Sequence, residues 1–138
     1  MSSYLTFYLV PKGEDKKPLA LISYSRNSDI YQWYCDIINP AYIGNDENNI
    51  KYTELTDKMA QSVVDAAEEE LSNSKITLQN RVDACKELGH TEDAIDLVVS
   101  TKEYIAELEN TVKELQFIAY LVSDTQYSDF EKVLINID

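Results

Sequence analysis

The segment between residues 23 and 31 combines residue types that are suited to binding anions. It contains several hydroxyl side chains, an amide and one of the two arginines of the chain. A helix N-terminus offers free backbone N–H groups, and a guanidinium and aromatic rings add charge and stacking surfaces. We therefore predict a candidate ligand or anion site, suited to a nucleotide-like small molecule, at Arg26, Asn27, Ser28, Tyr31 and Trp33. The alternative is a well-capped turn in which Arg26 pairs with an acid such as Asp29.

The sequence lacks the residue patterns of metal sites, phosphate-binding loops and catalytic thiols. The single histidine, His90, and two cysteines 50 positions apart, Cys35 and Cys85, match no zinc-binding or EF-hand spacing. The three glycines form no phosphate-binding loop motif. Both cysteines fall on apolar helix faces, where a thiol packs as a small hydrophobic group. We therefore predict no catalytic residue, no metal site, no cofactor and no enzymatic activity.

Acidic residues are concentrated in the second part of the chain. Residues 1–52 hold 6 acidic and 5 basic residues, and residues 53–138 hold 19 and 7, so the second part carries −12 of the total charge of −13. Such a surface repels phosphate groups and anionic lipids but attracts basic proteins. The sequence therefore predicts no direct nucleic-acid or membrane binding. It predicts a partner-binding acidic face at Glu68, Glu69, Glu70, Glu92, Asp93, Glu103 and Glu107, unless these residues only keep two exposed helices soluble.

The candidate ligand site has to be positioned by a small head of strands and one short helix. Residues 4–10 and 19–24 are rich in aromatic and β-branched types and predict an antiparallel hairpin with a polar loop. Ser28 and Asp29 predict the N-terminus of a short helix over residues 29–38, which Asn39 and Pro40 close. Residues 41–52 are predicted to form a connecting loop. Residues 132–137 predict a last strand that extends the hairpin into a three-stranded sheet, with a helical turn capped by Ser128 as the alternative.

The acidic residues have to be positioned by two long helices. The first is predicted from Thr53 or Thr56 to Leu88, with a kink or break allowed at residues 72–75, where helix propensity drops. Its apolar stripe is Leu55, Met59, Val63, Ala66 or Ala67, Leu71, Leu78, Val82, Cys85 and Leu88.

A tight turn at Gly89 and Thr91 leads into the second helix. Its apolar residues are spaced alternately by three and four positions, as in the seam of a coiled coil. This seam consists of Val98, Thr101, Ile105, Leu108, Val112, Leu115, Ala119 and Val122. Helices of about 30 to 36 residues would be roughly 45–54 Å long and should project beyond the head.

These patterns predict a single α+β domain over residues 1–138. Residues 1–52 and 124–138 form a small antiparallel β-sheet with a short helix, and residues 53–123 form a long, coiled-coil-like antiparallel helical hairpin. No membrane span or secretory signal is present in the sequence, so we expect a cytoplasmic protein.

Three hypotheses about function follow. The favoured one is a non-enzymatic interaction module that forms a homo-oligomer or docks a partner, such as a protein with a basic surface, through the acidic hairpin. A second is a phage-type inhibitor that mimics nucleic acid and blocks a host defence nuclease. The third is a small-molecule binder at the Arg26 junction.

Overall fold

The computed structural model describes residues 3–13, 17–40, 50–90, 96–124 and 129–138. Within these ranges the chain forms four strands and three helices. In chain order they are β1 (Tyr4–Pro11), β2 (Leu19–Ser25), α1 (Asp29–Ile37), β3 (Thr53–Leu55), α2 (Asp57–Glu87), α3 (Asp96–Ser123) and β4 (Phe130–Ile137). The predicted α+β class is confirmed, with its antiparallel sheet, short helix and long helical hairpin. No helix of the described ranges is both long and apolar enough to cross a membrane.

The sheet has the strand order β2-β1-β4-β3 in the described residues, and neighbouring strands are antiparallel. The predicted β1–β2 hairpin is confirmed, and β4 lies beside β1 as the predicted last strand. The expectation of three strands was incomplete, because residues 53–55 form β3 beside β4. A three-residue strand is too short to show an alternating pattern. Its pairing partner also lies near the other end of the chain, so no local signal reveals it.

Helix α1 begins where the capping residue predicts. The Ser28 hydroxyl accepts a hydrogen bond from the Tyr31 N–H at 3.2 Å, which satisfies one of the free donors of the first turn. The buried face of α1 carries Ile30 and Tyr34, and the Tyr34 ring meets Phe7 of β1 edge to face at 5.1 Å. After the helix, Asn39 adopts a positive φ of 53°, a conformation that asparagine tolerates better than most residues.

Helix α2 forms the single long helix that was predicted, and of its two predicted starts the one at Thr56 is confirmed. It begins at Asp57 with Thr56 as N-cap, so a start at Thr53 was wrong. It also runs without interruption through residues 72–75, so the break that weak helix propensity allowed there is not formed. Ser74 is buried in this stretch and hydrogen-bonds Glu70 at 3.3 Å. A propensity loss of at most ~0.7 kcal/mol per residue is smaller than the gain from burying a helix face, so packing decides.

The C-terminus of α2 follows the glycine signal. Gly89 has a φ of +74°, its N–H donates to the Lys86 carbonyl at 3.1 Å, and the His90 N–H donates to the Cys85 carbonyl at 2.9 Å. These two bonds form a Schellman motif. Leu88, which was predicted on the apolar stripe, is instead exposed, because it is the C-cap where the helix ends. The predicted cap at Thr91 lies outside the described residues, as does Ser128.

Helix α3 confirms the predicted seam, since all eight of its positions are buried. The main core joins the inner face of the sheet and α1 to the nearer halves of α2 and α3. Beyond it, Val82, Cys85 and Val98 form a separate small cluster with Leu78 packed against it. The distal half of the hairpin therefore has its own small core.

Candidate functional site

The predicted anion site lies at the junction of β2 and α1. Two of its backbone N–H groups are paired within the fold: the Ser28 N–H donates to the Ser25 carbonyl, and the Arg26 N–H donates to the Ser3 carbonyl, both at 2.9 Å. The Gln32 side chain donates to the Arg26 carbonyl at 2.9 Å. Arg26 and Asn27 themselves are exposed. The junction is a tightly hydrogen-bonded turn with the charge of Arg26 on its outside.

The aromatic members of that site are not on one side of α1. Tyr31 and Trp33 are two positions apart, which is about 200° around a helix. Trp33 lines a small cavity of about 110 Å³ together with Asp29 of its own helix and Tyr104, Glu107, Leu108 and Thr111 of α3. Two of these lining residues are carboxylates, which repel an anion. The structure thus brings Arg26, Asn27 and Ser28 together but places Trp33 in acidic surroundings.

The predicted acidic face is divided between the two edges of the hairpin. Glu68 accepts a hydrogen bond from the Gln116 amide at 2.8 Å on one edge. Glu70 accepts one from the Tyr104 hydroxyl at 3.1 Å on the other edge. This separation follows from helix geometry, because positions 68 and 70 differ by about 200°. One continuous acidic surface through both residues is therefore not formed.

The remaining acidic residues lie on the outside of the hairpin where the structure describes them. Glu69, Glu103 and Glu107 are exposed, and Glu107 borders the Trp33 cavity. Glu92 and Asp93 lie outside the described residues. Burial and the neighbouring Glu70 and Asp29 carboxylates raise the pKa of Tyr104. The side of the hairpin that faces α1 is therefore an environment that disfavours further negative charge.

Two tyrosines on the inner side of the head are strongly desolvated. The Tyr24 hydroxyl donates to the Glu114 carboxylate of α3, and burial together with this bond raises the pKa of Tyr24. Tyr34 is fully buried, and desolvation raises its pKa as well. Its hydroxyl has no hydrogen-bond partner among the described residues. Both groups stay protonated at neutral pH and act as packing groups there.

The two cysteines pack against apolar groups and the histidine is exposed, as the sequence predicts. Both thiols are free, with Cys85 buried in the distal cluster and Cys35 half-buried beside the main core. Burial raises the pKa of Cys35, so its thiolate fraction at neutral pH is reduced. His90 is exposed after α2. Across the described ranges no three His, Cys, Asp or Glu side chains are grouped as metal ligands.

A groove between β2 and α3 is the surface feature that sequence reasoning missed. Leu21 and Ile22 of β2 and Phe117 and Leu121 of α3 form its rim, and buried Phe7 and Val133 form its inner wall; we call it the β2–α3 groove. It encloses about 160 Å³, and its described lining residues carry no charge. The sequence did contain a signal of this groove. Leu19, Leu21 and Ile22 together depart from the strict alternation of apolar and polar residues, and Phe117 is an apolar residue that lies off the seam of α3.

Comparison with known proteins adds no functional information. No protein-family model, no curated protein and no solved structure matches this chain.

Proposed function

We propose that this protein is a non-enzymatic interaction module that binds an extended, uncharged protein segment at the β2–α3 groove. The observation that carries the proposal is the exposure of the groove rim. Leu21, Ile22 and Phe117 remain 44%, 37% and 54% exposed. Covering such a surface is favourable by ~25 cal/mol for each Å² of apolar area removed from water. A contiguous apolar patch around a cavity is typical of a protein contact site.

The form of the partner follows from the position of β2. In the described residues β2 has β1 on one side and no strand on the other. The outer backbone groups of an edge strand can pair with an added strand, while pockets beside it take alternate side chains. In this protein the edge and the apolar groove are adjacent. An extended segment would therefore gain backbone hydrogen bonds from β2 and side-chain burial from the groove.

The proposal can be tested by placing a photo-crosslinking amino acid at position 21 and irradiating the protein in its native cytosol. We expect a covalent product with a protein at this position and none from position 79, an exposed glutamine of α2. The charge introduced by Phe117→Asp should abolish the product. The proposal is contradicted if position 21 yields no product, or if Phe117→Asp leaves the product unchanged. A cytoplasmic location is part of this proposal, and fluorescence imaging of the tagged chain tests it.

The acidic hairpin supports a second proposal that can be tested independently. In it, a basic protein docks on the hairpin through the attraction of opposite charges. The exposed Glu69, Glu103 and Glu107 carboxylates favour it. In its nuclease-inhibitor form, the protein would compete with DNA for a basic nuclease without binding DNA itself. Competition should weaken steeply with salt, because the Debye length falls from ~10 Å at 0.1 M to ~3 Å at 1 M. Reversing the charges of Glu69, Glu103 and Glu107 should abolish it, and competition that is unchanged at ~0.5 M salt removes its basis.

The small-molecule proposal rests on the exposed Arg26 guanidinium next to the α1 N-terminus. Heating the protein with a panel of nucleotides tests it, because a ligand at ~100 times its Kd adds about 2.7 kcal/mol of stability. Arg26→Ala should remove the Tm shift. No shift with any nucleotide, or a shift that Arg26→Ala retains, counts against a site at this junction.

A further inference from the structure

The two edges of the sheet are built differently. The edge strand β3 has three residues and includes the exposed Glu54. Short length and charge are the usual means by which proteins prevent edge-to-edge pairing. The opposite edge strand, β2, has seven residues with the sequence LALISYS, which contains neither charge nor proline. This edge therefore lacks the two protections that β3 has.

A bulge in β2 directs two adjacent apolar side chains into the same groove. The register with β1 moves from Phe7 opposite Ile22 to Tyr8 opposite Ala20, so Leu21 has no residue opposite it. Adjacent residues in a regular strand point to opposite faces of the sheet, whereas a bulge changes the direction of one of them. Both Leu21 and Ile22 line the β2–α3 groove. The bulge thus enlarges the apolar surface at this edge.

We propose that the segment that binds here is β2 of a second copy of this chain. The inference rests on the proposed function and specifies its partner. Two identical β2 strands match each other in length and lack of charge, and a two-fold axis lets one patch cover its own counterpart. Each copy carries a charge of −13, so two copies repel each other over most of their surfaces. Neither β2 nor the described lining of the groove carries a charged side chain, so two copies can meet there without burying a charge.

The area available for this dimer is small. Leu19, Leu21, Ile22 and Phe117 are each about half exposed. With ~150–250 Å² for a large apolar side chain, they supply roughly 300–500 Å² per copy, and the edge backbone of a strand ~23 Å long adds to this. Stable complexes bury ~1,200–2,000 Å² in total. The two copies together reach the lower end of that range, where weak and transient complexes lie, so we expect a dimer that dissociates on dilution.

Sedimentation of the purified full-length chain from low to high micromolar concentration tests the inference. The wild type should change from a monomer of 15.8 kDa to twice that mass. Leu21→Asp should remain monomeric at every concentration. The matched control is Ile76→Asp, which places the same charge on a 61% exposed residue of α2 outside the groove and should dimerise like the wild type. Circular dichroism checks that both variants are folded, and Phe117→Asp serves as a second groove variant.

Salt dependence separates this dimer from association through the acidic hairpin. Salt screens the repulsion between two chains of charge −13, so raising it from ~0.05 to ~0.5 M should strengthen a dimer held by an uncharged groove. A dimer that weakens with salt, or one that Ile76→Asp disrupts and Leu21→Asp does not, overturns the inference. A wild type that stays monomeric throughout also overturns it. If position 21 still crosslinks to a different protein in the cytosol, the proposed function stands and only the second copy is excluded.

Discussion

Among single residues, Tyr34 is notable because its polar hydroxyl lies in an apolar interior. It is fully buried and lacks a partner among the described residues, so its desolvation is not compensated there. A buried unsatisfied donor costs ~1–3 kcal/mol. We expect Tyr34→Phe to raise the free energy of unfolding in urea by about 1 kcal/mol. The control is Tyr24→Phe, which removes the bond to Glu114 and should lower that free energy by a similar amount.

The opposite sign for Tyr34→Phe would show that the hydroxyl is hydrogen-bonded in solution. In that case Tyr34 and Tyr24 would behave alike, and the interior of the head would be more polar than the described contacts indicate. Phe7 packs edge to face against both rings, at 5.1 Å to Tyr34 and 5.8 Å to Tyr24. Both replacements keep these ring contacts, so they measure the hydroxyl groups alone.

The raised pKa values of Tyr24 and Tyr34 also determine how stability depends on pH. The unfolded side chains ionise near their ordinary value of 10.0, whereas the folded ones resist ionisation because they are desolvated. The folded state therefore binds more protons above pH ~10, and the free energy of unfolding must fall as pH rises through that range. These groups contribute no pH dependence below pH ~9. Urea denaturation at successive pH values measures this, and the Tyr24→Phe, Tyr34→Phe double variant should show a shallower decline. An equally steep decline in the double variant would assign the effect to other groups.

At the scale of elements, the helix seam is the feature with the sharpest test. Leu108 is only 4% exposed and belongs to the main core, while its neighbours Glu107 and Glu109 are exposed. Leu108→Ala should lower the free energy of unfolding by ~2–5 kcal/mol, because it removes buried apolar contacts and leaves a cavity. Thermal or urea denaturation measures the change.

The two glutamates beside Leu108 are the controls that test which residues of α3 form the buried seam. Glu107→Ala and Glu109→Ala should each change stability by less than about 0.5 kcal/mol. Glu109 lies 3.6 Å from the Lys75 ammonium, but both side chains are about half exposed, and such pairs contribute little. A Leu108→Ala effect as small as those of the glutamates would mean that the seam is formed by other residues.

At the scale of the whole molecule, the two cores should give the hairpin uneven stability along its length. The nearer halves of α2 and α3 share the main core with the sheet and α1, whereas the distal cluster has only three buried hydrophobic residues in the described ranges. Local opening is easiest where few apolar contacts are lost. Hydrogen exchange with mass spectrometry should therefore show faster exchange in residues 75–88 and 96–104 than in residues 58–70 and 108–122. Equal protection along both helices would indicate that the hairpin unfolds as one unit.

Elements with local signals could be predicted along the chain. Runs rich in aromatic, β-branched and other apolar residues indicated β1, β2 and β4, and the serine and glycine caps indicated where α1 begins and α2 ends. Spacing by three and four predicted eight of the ten buried positions of α3, and missed Thr111 and Ile118. These features depend on residue propensity, on the helix period and on backbone hydrogen bonds within a few residues, so they can be recognised along the chain.

Features that depend on residues distant in sequence form only when the chain is packed. Strand β3 exists because β4 lies beside it, and α2 continues through residues 72–75 because burial of its face outweighs weak propensity. The acidic residues at positions 68 and 70 were assigned to one face, but their angular separation places them at opposite edges of the hairpin. The β2–α3 groove is created by Leu21 and Phe117, which are about a hundred positions apart and meet only when α3 packs beside the edge of the sheet. Exposure and concavity are properties of packed surfaces, and no window of the sequence contains them.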